Sequence, residues 1–242
     1  MANLEGKVAI ITGSAQGIGR MIALAVAESG ARVVILDLAE ESCKPVLKEI
    51  RAMGGEAIAE ACNVTDEIQV AGMVKKVMEA YKRIDILVNN AGWQFVAPLE
   101  ESSVKDWDKT MAVNLRGPFL CAREVIPVMR KQVSGVIINI TSRAGRVPKA
   151  MAAAYGASKF GLNGLTQCLN LEVKDAGIRV LALAPPRTNT PLAQAIVKDL
   201  HPDLDVSSWS DGSDFGKTVA WFASDEAKFV DGVIIETGGL RP

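Results

Sequence analysis

Residues 7–29 run KVAIITGSAQGIGRMIALAVAES, and this stretch decides the fold. The apolar run Lys7 to Thr12 ends at a glycine, as a strand buried inside a parallel sheet does. From Gly19 to Ser29, the residues Ile22, Ala23, Val26 and Ala27 recur at helical spacing, and Gly30 stops the helix. Three glycines occupy the turn between them. Gly13 allows the tight turn, Gly17 lets backbone approach a pyrophosphate, and Gly19 lets the helix pack against the sheet. The helix N-terminus then faces the phosphates. Ser14, Gln16 and Ile18 complete the loop and join the glycines as candidate contacts of a dinucleotide. Glycine-rich turns are common, so the weight rests on context: strand before, helix after, acidic residue later.

Outward from this unit the same alternation repeats. Strands are expected at Arg32 to Leu36, Ala57 to Cys62, Ile84 to Asn89, Gly135 to Ile140, Arg179 to Ala184 and Gly232 to Glu236. Helices are expected at Glu40 to Met53, Asp66 to Tyr81 with Thr65 or Asp66 as N-cap, Ser103 to Met129 with a break near Gly117-Pro118, Ala153 to Lys174, and Phe215 to Ala223. Parallel strands joined by helical crossovers give an α/β fold, a doubly wound Rossmann-type sheet of about seven strands with helices on both faces. The 242 residues fit one domain, 1–242. Only Pro191 to Asp214 interrupts the alternation. It is polar and carries Pro202 and Gly212, and it reads as a substrate-covering segment over 191–214 or as a plain surface excursion.

Composition excludes several functions. The formal net charge is -1, with Lys and Arg scattered, so nothing points to nucleic acid or an acidic membrane surface. No run reaches the length a spanning helix needs. Cys43, Cys62, Cys121 and Cys168 form no C-x-x-C pair and read as reduced thiols of a cytoplasmic protein. His201, the single histidine, supports neither a His-rich metal centre nor a Ser-His-Asp triad, and reads as a solvated loop residue. The opening Met1 to Glu5 leads directly into a strand and carries no signal peptide. No metal ligand cluster is expected.

Ligands of such sheets lie at the carboxyl ends of the strands, and four successive strand ends carry suitable signals. Asp37, followed by Leu38, ends the second strand 18 residues past Gly19. A carboxylate there accepts hydrogen bonds from a free adenosine ribose and repels a 2′-phosphate. The glycine loop has no Arg or Lys, so NAD is favoured over NADP. Asn63-Val64 follows the third strand, where an adenine ring could lie. Asn89-Asn90-Ala91-Gly92 follows the fourth, its small residues admitting backbone to the cofactor. Ser142 stands past the end of the fifth, where a group binding a substrate oxygen belongs. In Tyr155-Gly156-Ala157-Ser158-Lys159 the tyrosine and lysine lie one helical turn apart. A free phenol has a pKa near 10, and an ammonium beside it favours the phenolate. Asn114 falls inside a helix, where Asn is a mediocre former.

Taken together, Thr12-Gly13-x-x-x-Gly17-Ile18-Gly19, Asn89-Asn90-Ala91-Gly92, Asn114, Ser142, Tyr155-x-x-x-Lys159 and the proline after the sixth strand resemble the short-chain dehydrogenase/reductase family in its compact single-domain form. The likeness runs from Lys7 to Gly239, and Ser142 lies 13 residues before Tyr155 as in the family. The resemblance implies an NAD(P)-dependent oxidoreductase acting on a small-molecule alcohol or carbonyl, usually as a homotetramer. It makes Tyr155 the acid/base, Lys159 the residue that lowers its pKa and binds the nicotinamide ribose, Ser142 the hydrogen-bond partner of the substrate oxygen, and Asn114 the holder of a water linking Lys159 to solvent. Pro185, Thr188 and Thr190 would meet the nicotinamide.

The chain departs from the family at Pro186, where a glycine is usual; proline fixes φ and removes an N–H beside the nicotinamide. Arg143, Arg146, Lys149 and Arg187 could hold an anionic substrate group, form a solvated loop, or pair with acids. Trp93 and Phe95 could wall the pocket or simply pack. The favoured reading is an NAD-dependent dehydrogenase of a secondary alcohol of sugar, polyol or hydroxy-acid type. A 3-oxoacyl-thioester reductase and a non-catalytic dinucleotide-sensing protein are the alternatives.

Overall fold

A computed structural model describes residues 2–200 and 203–238. The chain runs β1 (Val8–Thr12), α1 (Gly17–Glu28), β2 (Arg32–Asp37), α2 (Glu40–Ala52), β3 (Ala57–Ala61), α3 (Glu67–Tyr81), β4 (Ile86–Asn89), α4 (Val104–Met111), α5 (Gly117–Gln132), β5 (Gly135–Ile140), α6 (Ala153–Val173), β6 (Ile178–Ala184), α7 (Pro191–Leu200), α8 (Ser213–Ala223) and β7 (Ile234–Glu236). His201 lies outside the described residues, as does Gly239.

All seven strands are parallel and lie in the order β3-β2-β1-β4-β5-β6-β7. Winding reverses between β1 and β4, which opens a crevice at their carboxyl ends. The strands are apolar on both faces because helices cover both. Alternate residues sort to opposite layers: Ala9, Ile11, Val33 and Ile35 pack with α1, α2 and α8, whereas Val8, Ile10, Val34 and Leu36 pack with α3, α5 and α6. Among the buried polar side chains, one line crosses from β4 through β5 to α6. Asn89 on β4 donates to Asn139 on β5 at 2.8 Å, and Asn139 donates to Thr166 on α6 at 2.9 Å.

Two segments differ from the sequence expectation. The irregularity expected near Gly117-Pro118 within residues 103–129 is present but is no break: the chain stays helical through Pro118, and Gly117 N donates to Ala112 O across a widened turn. This is a π-helical turn at Ala112–Arg116 between α4 and α5. The stretch 191–214 is not irregular throughout: its first part is α7. Thr190 caps that helix, its hydroxyl accepting from Ala193 N at 3.1 Å, and Pro191 follows where proline suits a helix start. The N-cap of α3 is Asp66, which accepts from the backbone N–H of Ile68 and Gln69.

Candidate active site

The glycine loop is held from beneath. The Thr12 hydroxyl accepts from the backbone N–H of Asn90 and of Ala91, both at 3.0 Å. The Asn90 amide donates to the carbonyls of Thr12 and Gly13, each at 2.9 Å. These bonds join the ends of β1 and β4, the two sides of the crevice. Gly13 adopts φ +64°, and Gly19 stands so close that a Cβ there would lie 2.2 Å from Gly13 O and 2.4 Å from Asn90 Nδ2. The Ser14 side chain is turned into the protein, which leaves its backbone at the loop. It is buried, its hydroxyl donating to Ile11 O at 2.7 Å and accepting from Leu36 N at 3.0 Å, so it fixes the loop to β1 and β2. Gln16 precedes α1 without a side-chain cap, and the first turn holds no acidic residue, so the N–H groups there remain available to an anion.

Asp37 ends β2 beside this loop. Its carboxylate accepts from Ala15 N at 3.1 Å and from Leu38 N at 2.8 Å, which fixes its position at the loop edge. Leu38 is 72% exposed, well placed to lie over a flat ring. Asn63 closes a turn, accepting from Thr65 N and Oγ1 at 3.0 and 2.9 Å, while buried Val64 packs against Gly117. A Cβ at Gly17 would lie 3.5 Å from Thr190 Cβ, so the start of α7 stands beside the glycine loop.

Ser142 and Tyr155 face a cleft of about 1540 Å³ that also meets Gln94, Pro185, Arg187 and Trp209. Ser142 follows β5, its hydroxyl accepting from Ala144 N at 3.2 Å. Tyr155 lies in the first turn of α6. Desolvation of its hydroxyl holds the phenol above its usual pKa, and the hydrogen bond with Ser142 works in the opposite direction. Lys159 is buried one turn on, its Nζ 5.7 Å from the Tyr155 ring centre and donating to Ile140 O at 2.9 Å. Burial pushes its pKa down to about 8. The expected lowering of the phenol by the ammonium is therefore not what these side chains produce alone. Desolvation dominates both groups.

Asn114 stands in the π turn, a feature often found at functional sites. Its side chain is committed: Oδ1 accepts from Trp93 N at 2.8 Å, and Nδ2 donates to Trp93 O at 2.8 Å and Ser158 Oγ at 3.0 Å. It clamps the chain after Gly92 onto the catalytic helix, so a water relay would have to draw on the remaining acceptor capacity of its oxygens. Trp93 is not the pocket wall. Its ring packs under Lys109, whose Nζ lies 3.3 Å from the ring centre, and Gln94 meets the cleft instead. Thr188 and Thr190 spend their hydroxyls locally, the first donating to Pro186 O at 2.9 Å and the second capping α7, which leaves backbone for the carboxamide. Pro186 fits its new place by packing against Gly238, where a Cβ would meet Pro186 Cβ at 2.6 Å. Arg143 and Arg146 are not free cations: both approach Glu236, at 3.7 and 4.0 Å. Glu236 and Trp209 were missed in the sequence. Glu236 ends β7, so the strand-end rule applied one strand further would have found it.

An anion-receptive helix start, close-packed glycines and a hydroxyl pair on a cleft thus lie at the carboxyl ends of the strands. The family profile "short chain dehydrogenase" matches residues 7–201, and the chain belongs to the short-chain dehydrogenase/reductase family. It is 38% identical over 247 residues to an uncharacterized oxidoreductase of Thermotoga maritima, covering 98% of each chain. It is 35% identical to the 3-oxoacyl-(acyl-carrier-protein) reductase of the same organism, covering 98% of each. It is 38% identical to a 2,5-dichloro-2,5-cyclohexadiene-1,4-diol dehydrogenase of Sphingobium indicum, covering 99% of this chain and 98% of that one. Levodione reductase has the same fold, with a TM-score of 0.92 at 28% identity and 98% of each chain covered. Members of the family use NAD(P)H. Among the described residues no helix is long and apolar enough to cross a membrane.

Proposed function

We propose that the protein is an NAD-dependent dehydrogenase of a secondary alcohol of sugar, polyol or hydroxy-acid type, with Tyr155 as acid/base. The observation that carries this reading is the joint placement of the Ser142 and Tyr155 hydroxyls on one cleft, with Lys159 buried behind them. NAD would supply the acceptor of a hydride from the substrate carbon. The chain supplies the rest. Ser142 hydrogen-bonds the substrate oxygen and holds it against the Tyr155 oxygen, which as phenolate takes the hydroxyl proton in oxidation and as phenol gives one back in reduction. Lys159 uses one of its donors on Ile140 O and keeps the others for the ribose hydroxyls and a proton path to solvent. Asp37, fixed by Ala15 N and Leu38 N, favours a ribose with a free 2′-hydroxyl over one with a phosphate.

A second reading, a 3-oxoacyl-thioester reductase, draws support from the Thermotoga relative and from a cleft larger than the several hundred Å³ of an ordinary small-molecule pocket. The spread-out cysteines favour a cytoplasmic protein with reduced thiols, and the family resemblance favours a homotetramer.

The test is turnover at 340 nm with NAD or NADP, against polyols, sugars, hydroxy acids, cyclic alcohols and acyl thioesters at mildly alkaline pH. NAD-linked oxidation of an alcohol is expected; turnover with NADP alone would overturn the cofactor assignment. Tyr155→Phe should lower turnover by roughly 10²–10⁴-fold, the usual worth of a positioned acid/base, while NADH still binds. Wild-type activity retained by this variant would refute the mechanism. If wild type binds NADH yet turns over nothing in the panel, the non-catalytic sensing reading gains.

A further inference from the structure

We propose that Arg187, within cation–π range of Trp209, anchors a carboxylate on the substrate, so that the alcohol taken by this cleft is a hydroxy acid too large to be a simple three-carbon one. This deepens the dehydrogenase reading and rests on it. Three cations meet the cleft, Arg143, Lys149 and Arg187, together with three acids, Asp211, Asp214 and Glu236. Their pairing is unequal. Glu236 takes Arg143 and Arg146; Asp214 lies 3.8 Å from Lys217; Asp211 accepts from the N–H and hydroxyl of Ser213 at 2.8 and 2.7 Å. The acids of the lining match its cations in number, but among the described residues none of them stands within ion-pair distance of Arg187 or Lys149.

Arg187, unlike Lys149, is held by its surroundings. Its guanidinium lies 5.9 Å from the Trp209 ring centre, within cation–π range. The backbone enforces this contact. Thr188 bridges Ser210 in parallel, with Ser210 N donating to Arg187 O at 3.1 Å and Asn189 N donating to Ser210 O at 2.8 Å. Two prolines precede Arg187, and Pro186 is braced by Gly238. A guanidinium attracted to an aromatic ring still has N–H donors to offer a carboxylate as a bidentate pair, and the backbone that carries it is held in place. Pro186, where the family usually has glycine, thus stiffens the strut that carries the anchor. The cleft volume leaves room for an extended or ring-bearing body between Arg187 and the hydroxyl pair.

The experiment compares each hydroxy acid that the enzyme turns over with its neutral amide, in wild type, Arg187→Gln, Arg187→Lys and Glu236→Gln. The quantity is the ratio of kcat/KM for acid over amide. Wild type should prefer the acid. Arg187→Gln should lower the ratio by about ten- to a hundredfold, the worth of a hydrogen bond to a charged group, and Arg187→Lys should recover only part of it. A wild-type ratio near one, or a ratio unmoved by Arg187→Gln, would overturn the proposal. A ratio raised by Glu236→Gln and untouched at Arg187 would place the anion on Arg143 and Arg146 and overturn it too. A binding readout keeps the proposal separate from the dehydrogenase reading. Carboxylates should quench tryptophan fluorescence in wild type but not in Trp209→Phe or Arg187→Gln, even if nothing is oxidised. Absence of that quench in wild type also refutes it, whereas failure of turnover with the quench intact refutes only the dehydrogenase reading.

Discussion

Lys159 shows how the site is assembled at the cost of stability. Its pKa falls from 10.5 to about 8 because burial penalises the ammonium. That fall corresponds to roughly 3 kcal/mol of destabilisation at neutral pH. The sign follows from proton counts. Below pH 8 folded and unfolded chains both hold the proton, and the folded chain bears the penalty. Between 8 and 10.5 the folded chain releases it first, so the unfolded chain binds more protons and stability rises with pH. Lys159→Met, similar in length and uncharged, should therefore melt higher than wild type at pH 7, with the gap closing as pH rises to 10. Thermal melts across this range check it, and a gap independent of pH would show that burial of the charge is not the cause. Tyr155 acts oppositely only above pH 10, since its raised pKa makes the folded chain keep a proton the unfolded chain loses. Residue identities at the site were legible because spacing and strand ends mark them. Their hydrogen-bond commitments were not: whether Ser14 or Asn114 meets a ligand or its own chain depends on neighbours 22 and 21 positions away.

Elements were read well where one period rules and poorly where two signals compete. Strands flanked by glycine and helices with a clear apolar face came out within a few residues. The π turn at Ala112–Arg116 did not, because one extra residue in a helix leaves no mark that a 3.6-residue pattern can detect. Helix α7 was hidden in a stretch read as irregular for its polarity, Pro202 and Gly212, and Pro191 starts the helix. Helix ends hold a further prediction. Val133 follows α5 at φ +53°, a left-handed conformation costly for a β-branched residue, and its side chain is 70% exposed, so it returns little by packing. Val133→Gly should stabilise by about 1 kcal/mol and raise Tm by roughly 2–4 °C. A lower Tm would mean that the side chain matters more than the backbone strain.

For the whole molecule, the double winding followed from the order of elements alone. What the order could not show is the strand order that opens the crevice between β1 and β4, or how the segment after β6 is joined to the glycine loop. The start of α7 stands beside Gly17, and the loop beyond it is tied to the turn after β6 through Thr188 and Ser210. Cofactor binding should therefore stabilise the entire domain. NADH at a hundred times its Kd should add about 2.7 kcal/mol, and NADPH at the same concentration should add much less because of Asp37. Differential scanning fluorimetry with each nucleotide checks this, and equal shifts would remove Asp37 as the selector.

The polar line from Asn89 through Asn139 to Thr166 serves a different end from catalysis. Parallel strands made almost wholly of Val, Ile and Leu could slide past one another by two residues and still bury oil against oil. Asn89 and Asn139 face each other only in the native pairing of β4 with β5. A slipped sheet would carry two amides into hydrocarbon without partners, at about 1–3 kcal/mol each. The ladder proofreads strand alignment during folding, and so sets Ser142, two residues beyond the end of β5, at the right height above the sheet.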